Sequence, residues 1–265
     1  MEKISVLVCV YNESSRIERF LDSFTNFDEV IVLDKSSTDD TVKKAKKYPN
    51  VTVIEFEYSD QGDLYKYCAE KARNEWLLFV TASDVIHPNL LHKLNEIINH
   101  TDADVFYVPY IIHCLGICSP YSAFDYPYRQ CLAKKSVCVF NDRVHQELSF
   151  NTTKIEKLPK NRIEAIHHLT HQNIDSSFER LIRYSKEELK KETTAKEQFR
   201  ELKGLIKGII RHRFWKLGWD GVALAFLAIL YRLITFLRVW AEDKKDIEEK
   251  YDDFANTLLE LETKC

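Results

Sequence analysis

The sequence predicts an α/β fold: a mostly parallel sheet with helices on both faces, extended at its C-terminus by further helices. Three observations predict it. Through the first hundred residues, short β-branched runs alternate with segments of helical apolar periodicity, the pattern of βαβ units. The runs end on small clusters of polar residues, as strands do where the chain turns into a covering helix. From Ser176 onward the alternation gives way to amphipathic and apolar helical stretches.

Ile4 to Val10 is a continuous apolar run and reads as a buried strand. Ser14 can cap a helix in which Ile17, Phe20, Leu21 and Phe24 recur at i, i+3, i+4 and i+7. "EVIVLD" (29–34) is the second strand and "TDDTVKKAKKY" the second helix, with Thr38 or Asp39 as its cap. "VTVIEF" (51–56), "DLYKYCAEKAR" (63–73) and "WLLFV" (76–80) continue the series as strand, helix and strand. "ADVFYVPYII" (103–112) and "SVCVF" (136–140) read as two more strands, and the aromatic stretch 119–130 between them as a long functional loop. The expected division is a domain over 1–175 and a helical extension over 176–265.

A chain of 265 residues is long enough to bury a sizeable core. Its net charge of −3 gives no general argument for nucleic acid as a partner. The seven cysteines are an odd number with no disulfide framework, and several sit in apolar runs where a reduced thiol behaves as a small hydrophobe. Cys114 and Cys118 have a Cys-x3-Cys spacing with no second pair at zinc-finger distance. "MEKISVLVCVYNE" lacks the apolar core of a signal peptide. Reduced cysteines and this N-terminus predict a cytoplasmic protein.

The C-terminal region carries Lys203, Lys207, Arg211, Arg213 and Lys216 with no acid among them, then the apolar stretch 221–240 broken by Arg232 and Arg238. A central Arg costs about 2.5–3.5 kcal/mol on insertion scales, which argues against a spanning helix. A basic, aromatic-bearing stretch beside an apolar helix fits docking in the plane of an anionic bilayer. The alternative is a helical pair packed on the protein itself or on a second subunit, giving a homodimer.

Three stretches fall at the carboxyl ends of the first, second and fourth strands, where open α/β sheets bind ligands. In "VYNES" (10–14), Tyr11 can stack on a base while Asn12 or Glu13 bonds its edge or a ribose; an ordinary polar turn is the alternative. In "LDKSSTDDT" (33–41), Asp34 suits a nucleobase or ribose hydroxyl. In "VTASD" (80–84), Asp84 is a lone carboxylate that can hold a divalent cation against a phosphorylated substrate or simply cap a helix.

This set resembles the opening of inverting family 2 glycosyltransferases with the GT-A (Rossmann-like) fold, nearest to the bacterial glucosyltransferases of lipopolysaccharide inner-core assembly. The resemblance rests on "ISVLVCVYNES" with "DEVIVLDKSSTDDTVKKAKKY". It continues through "GDLYKYCAEKARNEWLLF", "FNDRVHQEL", "HHLTHQNIDSSFERLIRYS" and the apolar tail. It implies a hexosyltransferase of cell-envelope biosynthesis, acting at the inner membrane face. Its donor would be a nucleotide sugar, a UDP-sugar by this resemblance, and its acceptor a glycolipid or oligosaccharide. The same resemblance leaves room for a catalytically silent relative that binds a nucleotide sugar or scaffolds an assembly. A nucleotidyltransferase would want a glycine-rich loop after the first strand, and "VYNESSRIE" has no glycine.

Carried over by position, the resemblance puts Tyr11, Asn12 and Glu13 beside the nucleotide, Asp34 on its uracil or ribose, and Lys66 near the diphosphate. The family's Asp-x-Asp acids fall at Thr81 and Ser83, where this chain has none. Three readings follow: Asp84 holds Mg2+ or Mn2+, Lys and Arg meet the phosphate charge instead, or catalysis has been lost. The relatives' Val-His-Glu is here "RVHQEL", with Gln146 at the acid's place. Glu147 is then the expected base and Asp142 the other nearby acid, while Arg143 and His145 can neutralise the leaving diphosphate. His167 and His171, four apart, lack the third ligand that zinc wants. The resemblance places His168 near the diphosphate or acceptor. Tyr121 to Tyr128 can stack on an acceptor sugar, with Arg129 meeting acidic or phosphorylated groups.

Overall fold

The structure, a computed structural model, describes residues 3–56, 61–124, 128–140, 148–188, 193–242, 244 and 246–262. The chain divides into two compact units, Met1–Cys118 with Asp125–Thr170, and Ser119–Phe124 with His171–Cys265.

The first unit is the α/β body. Its strands are β1 (Ile4–Val10), β2 (Glu29–Asp34), β3 (Val51–Glu55), β4 (Trp76–Thr81), β5 (Asp84–Ile86), β6 (Val105–Cys114), β7 (Tyr128–Lys134), β8 (Cys138–Val139), β9 (Ser149–Phe150), β10 (Ile155–Lys157) and β11 (Ile166–Thr170). Its helices are α1 (Ile17–Ser23), α2 (Thr41–Ala45), α3 (Gln61–Lys71) and α4 (Pro88–Ile98). The main sheet runs β3-β2-β1-β4-β7-β6-β11-β5, with β10 also on β6. Pairing is parallel from β3 to β4 and between β6 and both β10 and β11. It is antiparallel where β7 joins β4 to β6 and where β5 meets β11.

The apolar runs become strands because they can be buried on both faces. Every residue of β2 is buried, as is every residue of β1 except half-buried Cys9. The i, i+3, i+4, i+7 stripe of α1 buries Ile17, Phe20, Leu21 and Phe24, with the Phe20 and Phe24 rings 4.6 Å apart. Ring burial on this scale is among the larger favourable contributions to a core. Helix α4 starts where Pro88 occupies its first turn and the His87 ring accepts the Asn89 amide at 3.1 Å.

Several expectations are corrected in detail. Ser14 does not cap α1: the helix begins at Ile17 after Arg16, without a side-chain cap, and the Ser14 amide donates to Asp39 at 3.0 Å. Asp40 holds the position before α2 without a side-chain cap of its own, Asp39 Oδ1 accepts the Thr41 amide at 3.0 Å, and Thr38 turns its amide to Asn12 instead. The third strand ends one residue early, and α3 runs two residues ahead of the expected span. Residues 136–140 form a short 3-10 turn and the two-residue β8 rather than one strand. The aromatic loop is shorter than expected, because Tyr128 to Lys134 is the central antiparallel strand β7.

The second unit holds α5 (Ile174–Glu188), α6 (Ala195–Arg211), α7 (Gly218–Glu242) and α8 (Ile247–Glu262). Thr194 and Glu197 form a reciprocal capping box that starts α6. A left-handed Arg213 and Gly218 turn the chain into α7. A Cβ on Gly221 would stand 2.0 Å from the Phe214 carbonyl oxygen, so only glycine fits there. Arg232, which interrupts the apolar stretch, pairs with Glu201 of α6 at 2.7 Å. Residues Phe214–Glu242 are long and apolar enough to cross a membrane by length and composition. In the same unit Tyr121 receives the Lys216 ammonium, 4.8 Å from its ring centre, and Phe124 packs against Ile209, Ala225 and Ala228.

Candidate functional site

The carboxyl ends of β2, β1 and β4 lie side by side, since Val10 pairs with Asp34 and Cys9 with Thr81. Two turns here use the left-handed region, Asn12 at φ 52° and Ser36 at φ 61°. For residues other than glycine this conformation is uncommon, and it recurs where a backbone is held for function. The Thr38 amide donates to Asn12 Oδ1 at 2.8 Å, and the Asn12 amide donates to Ser37 Oγ at 2.8 Å. Asn12 thus ties the β1 loop to the β2 loop. The Glu13 carboxylate is taken by Arg16, and the Glu13 amide donates to Thr41 Oγ1 at 2.8 Å. Tyr11 stands free above this latch, half exposed.

Asp34 is only 2% exposed, at the end of the buried strand. Its Oδ2 accepts the Ser37 amide at 2.9 Å, while its Oδ1 is buried with no hydrogen-bond partner among the described residues. A buried carboxylate oxygen without a donor costs free energy, about 1–3 kcal/mol for a desolvated polar group and more for a charged one. Lys66 lies exposed on α3.

A second constellation centres on Asp84, which is fully buried. The Thr81 amide donates to its Oδ2 at 2.7 Å, and the Tyr110 hydroxyl donates to its Oδ1 at 2.7 Å. His168 Nδ1 lies 2.7 Å from the same Oδ1 and 2.7 Å from the Tyr110 oxygen. Arg129 donates to the Tyr110 hydroxyl at 3.2 Å, and its Nη1 is 3.6 Å from Asp84 Oδ2. The four side chains come from β5, β6, β7 and β11. Burial pushes the Asp84 carboxyl up, but the His168 hydrogen bond and charge, the Arg129 charge and the Thr81 amide together hold it below its usual range. Burial and the Asp84 charge push Tyr110 up, so its hydroxyl stays a donor. Half-buried Tyr65 hydrogen-bonds Cys9, and burial lifts the Cys9 thiol to about 11. Cys9 is an inert small residue here.

A divalent cation does not fit this arrangement. Both Asp84 oxygens serve the protein's own donors, the side chain is closed off, and Arg129 brings a fixed positive charge. The described residues contain no group of three or more His, Cys, Asp or Glu side chains able to share an ion. As placed, Asp84 is the anchor of a buried network and offers no free oxygen. His167 is also engaged: its Nε2 lies 2.9 Å from the Arg162 carbonyl oxygen and its Nδ1 2.9 Å from His113 Nε2. The carbonyl fixes the tautomer, so His113 donates to His167.

Asp142, Arg143, His145 and Glu147 lie outside the described residues. Among the expected residues, Tyr11, Asn12, Glu13 and Asp34 share one edge, and Asp84, Arg129 and His168 form one cluster. Tyr110 was missed by the sequence reading, although a Tyr inside a buried strand needs a polar partner for its hydroxyl.

Comparison with known proteins gives four findings. Residues 5–117 match the family described as Glycosyl transferase family 2. SunS, a glycosyltransferase of Bacillus subtilis, is 33% identical over 118 residues, 41% of this chain and 27% of its own length. An uncharacterized glycosyltransferase of Rickettsia conorii is 27% identical over 271 residues, covering 94% of this chain and 93% of that one. Among solved structures, S. aureus TarS 1-349 in complex with UDP-GlcNAc aligns over 80% of this chain and 72% of that one, at 18% identity and a TM-score of 0.48. The family match supports a glycosyltransferase of family 2.

Proposed function

We propose that this protein transfers a hexose from a UDP-sugar to a glycolipid or oligosaccharide acceptor with inversion at the anomeric carbon. The observation that carries the reading is the unpartnered, buried Asp34 Oδ1 at the meeting of the β1 and β2 loops. A uracil N–H or a ribose hydroxyl supplies the donor it lacks, and half-exposed Tyr11 offers a stacking face beside it. Asn12 acts mainly by fixing the loop that carries Ser37 and Thr38, and Glu13 by holding Arg16. Arg129 and His168 are the groups of the Asp84 cluster that retain exposure towards a diphosphate. TarS is a UDP-GlcNAc-binding relative by the name of its complex, which agrees with a uridine nucleotide donor here.

In the reaction, an acceptor hydroxyl oxygen forms a bond to the anomeric carbon as the bond from that carbon to the diphosphate oxygen breaks. The hydroxyl proton passes to a carboxylate, for which Glu147 is the first candidate and Asp142 the second, and the diphosphate leaves with the bonding electron pair. The basic and aromatic second unit would hold the enzyme on the inner face of an anionic membrane, where a lipid-linked acceptor resides. A silent, nucleotide-binding relative is the second reading, favoured by Thr81, Ser83 and Gln146 standing where acids are expected.

The test is turnover of UDP-hexoses by the full chain with membrane glycolipid fractions, reading the product's anomeric proton by NMR. The proposal expects a β-linked product from an α-linked donor. An α-linked product would contradict inversion, and UDP binding without turnover of any donor or acceptor would favour the silent reading.

A further inference from the structure

The geometry points to a diphosphate-binding site that works without a divalent cation, in which Arg129 and Lys35 supply the positive charge. This inference rests on the nucleotide-sugar reading above and adds to it the means of charge compensation.

Metal-bridged phosphate sites need acids that are free to bind the ion, because carboxylates facing a diphosphate would otherwise repel it. This chain lacks that problem. At the end of β4 it presents Thr81 and Ser83, which are neutral hydroxyls. The Thr81 Oγ1 is buried without a hydrogen-bond partner among the described residues. The one acid, Asp84, has its charge answered internally by Tyr110, His168, the Thr81 amide and Arg129.

Arg129 is not exhausted by this role. A guanidinium has five N–H donors in a planar fork, and among the described residues the Arg129 side chain makes one hydrogen bond, to Tyr110, with its Asp84 contact at 3.6 Å. A third of its side chain is exposed. The ring of Tyr110 and the charge of Asp84 hold it in place, so little freedom is lost when it meets an anion. Lys35 follows Asp34, its amide donating to the Val10 carbonyl at 2.9 Å, and its charge is felt at Cys9. The charge of Arg129 is felt at Tyr65, the hydrogen-bond partner of Cys9. Lys35, just past the end of β2 and bonded through its amide to the last residue of β1, and Arg129, on β7 beside β4, bring two cations to this edge of the sheet. Charge-assisted bonds from such groups bind phosphate without a metal.

The experiment is calorimetric titration of the full chain with uridine and with UDP, in EDTA and then in Mn2+, repeated on Lys35→Gln, Arg129→Gln and Arg129→Lys. Expected are UDP binding in EDTA, a change of less than about threefold on adding Mn2+, and a loss of about tenfold or more in UDP affinity for each Gln variant, with uridine affinity unchanged. Arg129→Lys should fall between, since it keeps the charge and loses the fork. UDP binding that appears only with Mn2+, or Gln variants that bind UDP as the parent does, would overturn the cation-free site while leaving the nucleotide reading intact. Absence of binding by both uridine and UDP in every condition would overturn that reading and this inference together. Should Arg129→Gln fail to fold, the Lys35→Gln variant and the metal comparison on the parent chain decide the matter.

Discussion

Asp84 is the residue on which the interior of the site depends. Its carboxylate gathers donors from β4, β6 and β11, with the Arg129 charge of β7 beside it, and its removal would leave Arg129 and Tyr110 facing a void. Breaking one side of such a buried pair costs about 3–5 kcal/mol, the loss expected for Asp84→Ala in urea unfolding. The pH dependence has a definite sign. The folded carboxyl is held below its ordinary 3.8, so its contribution is present above that value and is lost as pH falls through the depressed one. Asp84→Asn does not titrate, so its stability should fall less steeply than the parent's below about pH 4. An identical acid profile for the two proteins would remove Asp84 from the account of acid stability. The sequence singles out Asp84 as a lone acid but does not reveal its side-chain donors, Tyr110 and His168, which arrive from 26 and 84 positions away.

At the scale of elements, the parallel half of the sheet was legible because each strand and helix there is a local pattern. β-branched runs of five to seven residues and the Phe20–Phe24 stripe settle β1 to β4 and α1. The antiparallel β7 was not legible. Tyr128, Arg129 and Gln130 look like loop chemistry, and their strand exists only because β4 and β6 stand on either side of it. Tertiary context overrides local propensity in this way throughout sheets. Arg129 stands beside Asp84 from this strand rather than from a loop. In the helical unit, Gly221→Ala should destabilise by about 1–3 kcal/mol, the usual cost of overpacking, because the new methyl meets the Phe214 carbonyl. Thr194→Ala should cost about 1 kcal/mol through the lost cap. Both are read as thermal midpoints of the purified chain. A neutral Gly221→Ala would mean that the turn into α7 relaxes freely.

For the whole molecule, the second unit carries its apolar surface next to its basic residues. Trp215 is 54% exposed, Trp219 86% and Phe226 68%, and α6 of the same unit carries the exposed Lys203, Lys207 and Arg211. The proposal of membrane-surface attachment predicts sedimentation with vesicles containing phosphatidylglycerol, weakening as salt is raised, and severalfold weaker binding for Trp219→Ala. Equal binding to neutral vesicles, or none to either, would return this face to protein packing.

The central claim is that the α/β body receives a uridine nucleotide through Asp34, and its most direct test is UDP titration of the parent chain against Asp34→Asn. The substitution preserves shape and the Ser37 contact while removing the charge that awaits a donor. The account predicts UDP binding by the parent and a loss of about tenfold or more in the variant, with thermal stability retained. Equal affinity in the two proteins, or no binding by the parent, would contradict it.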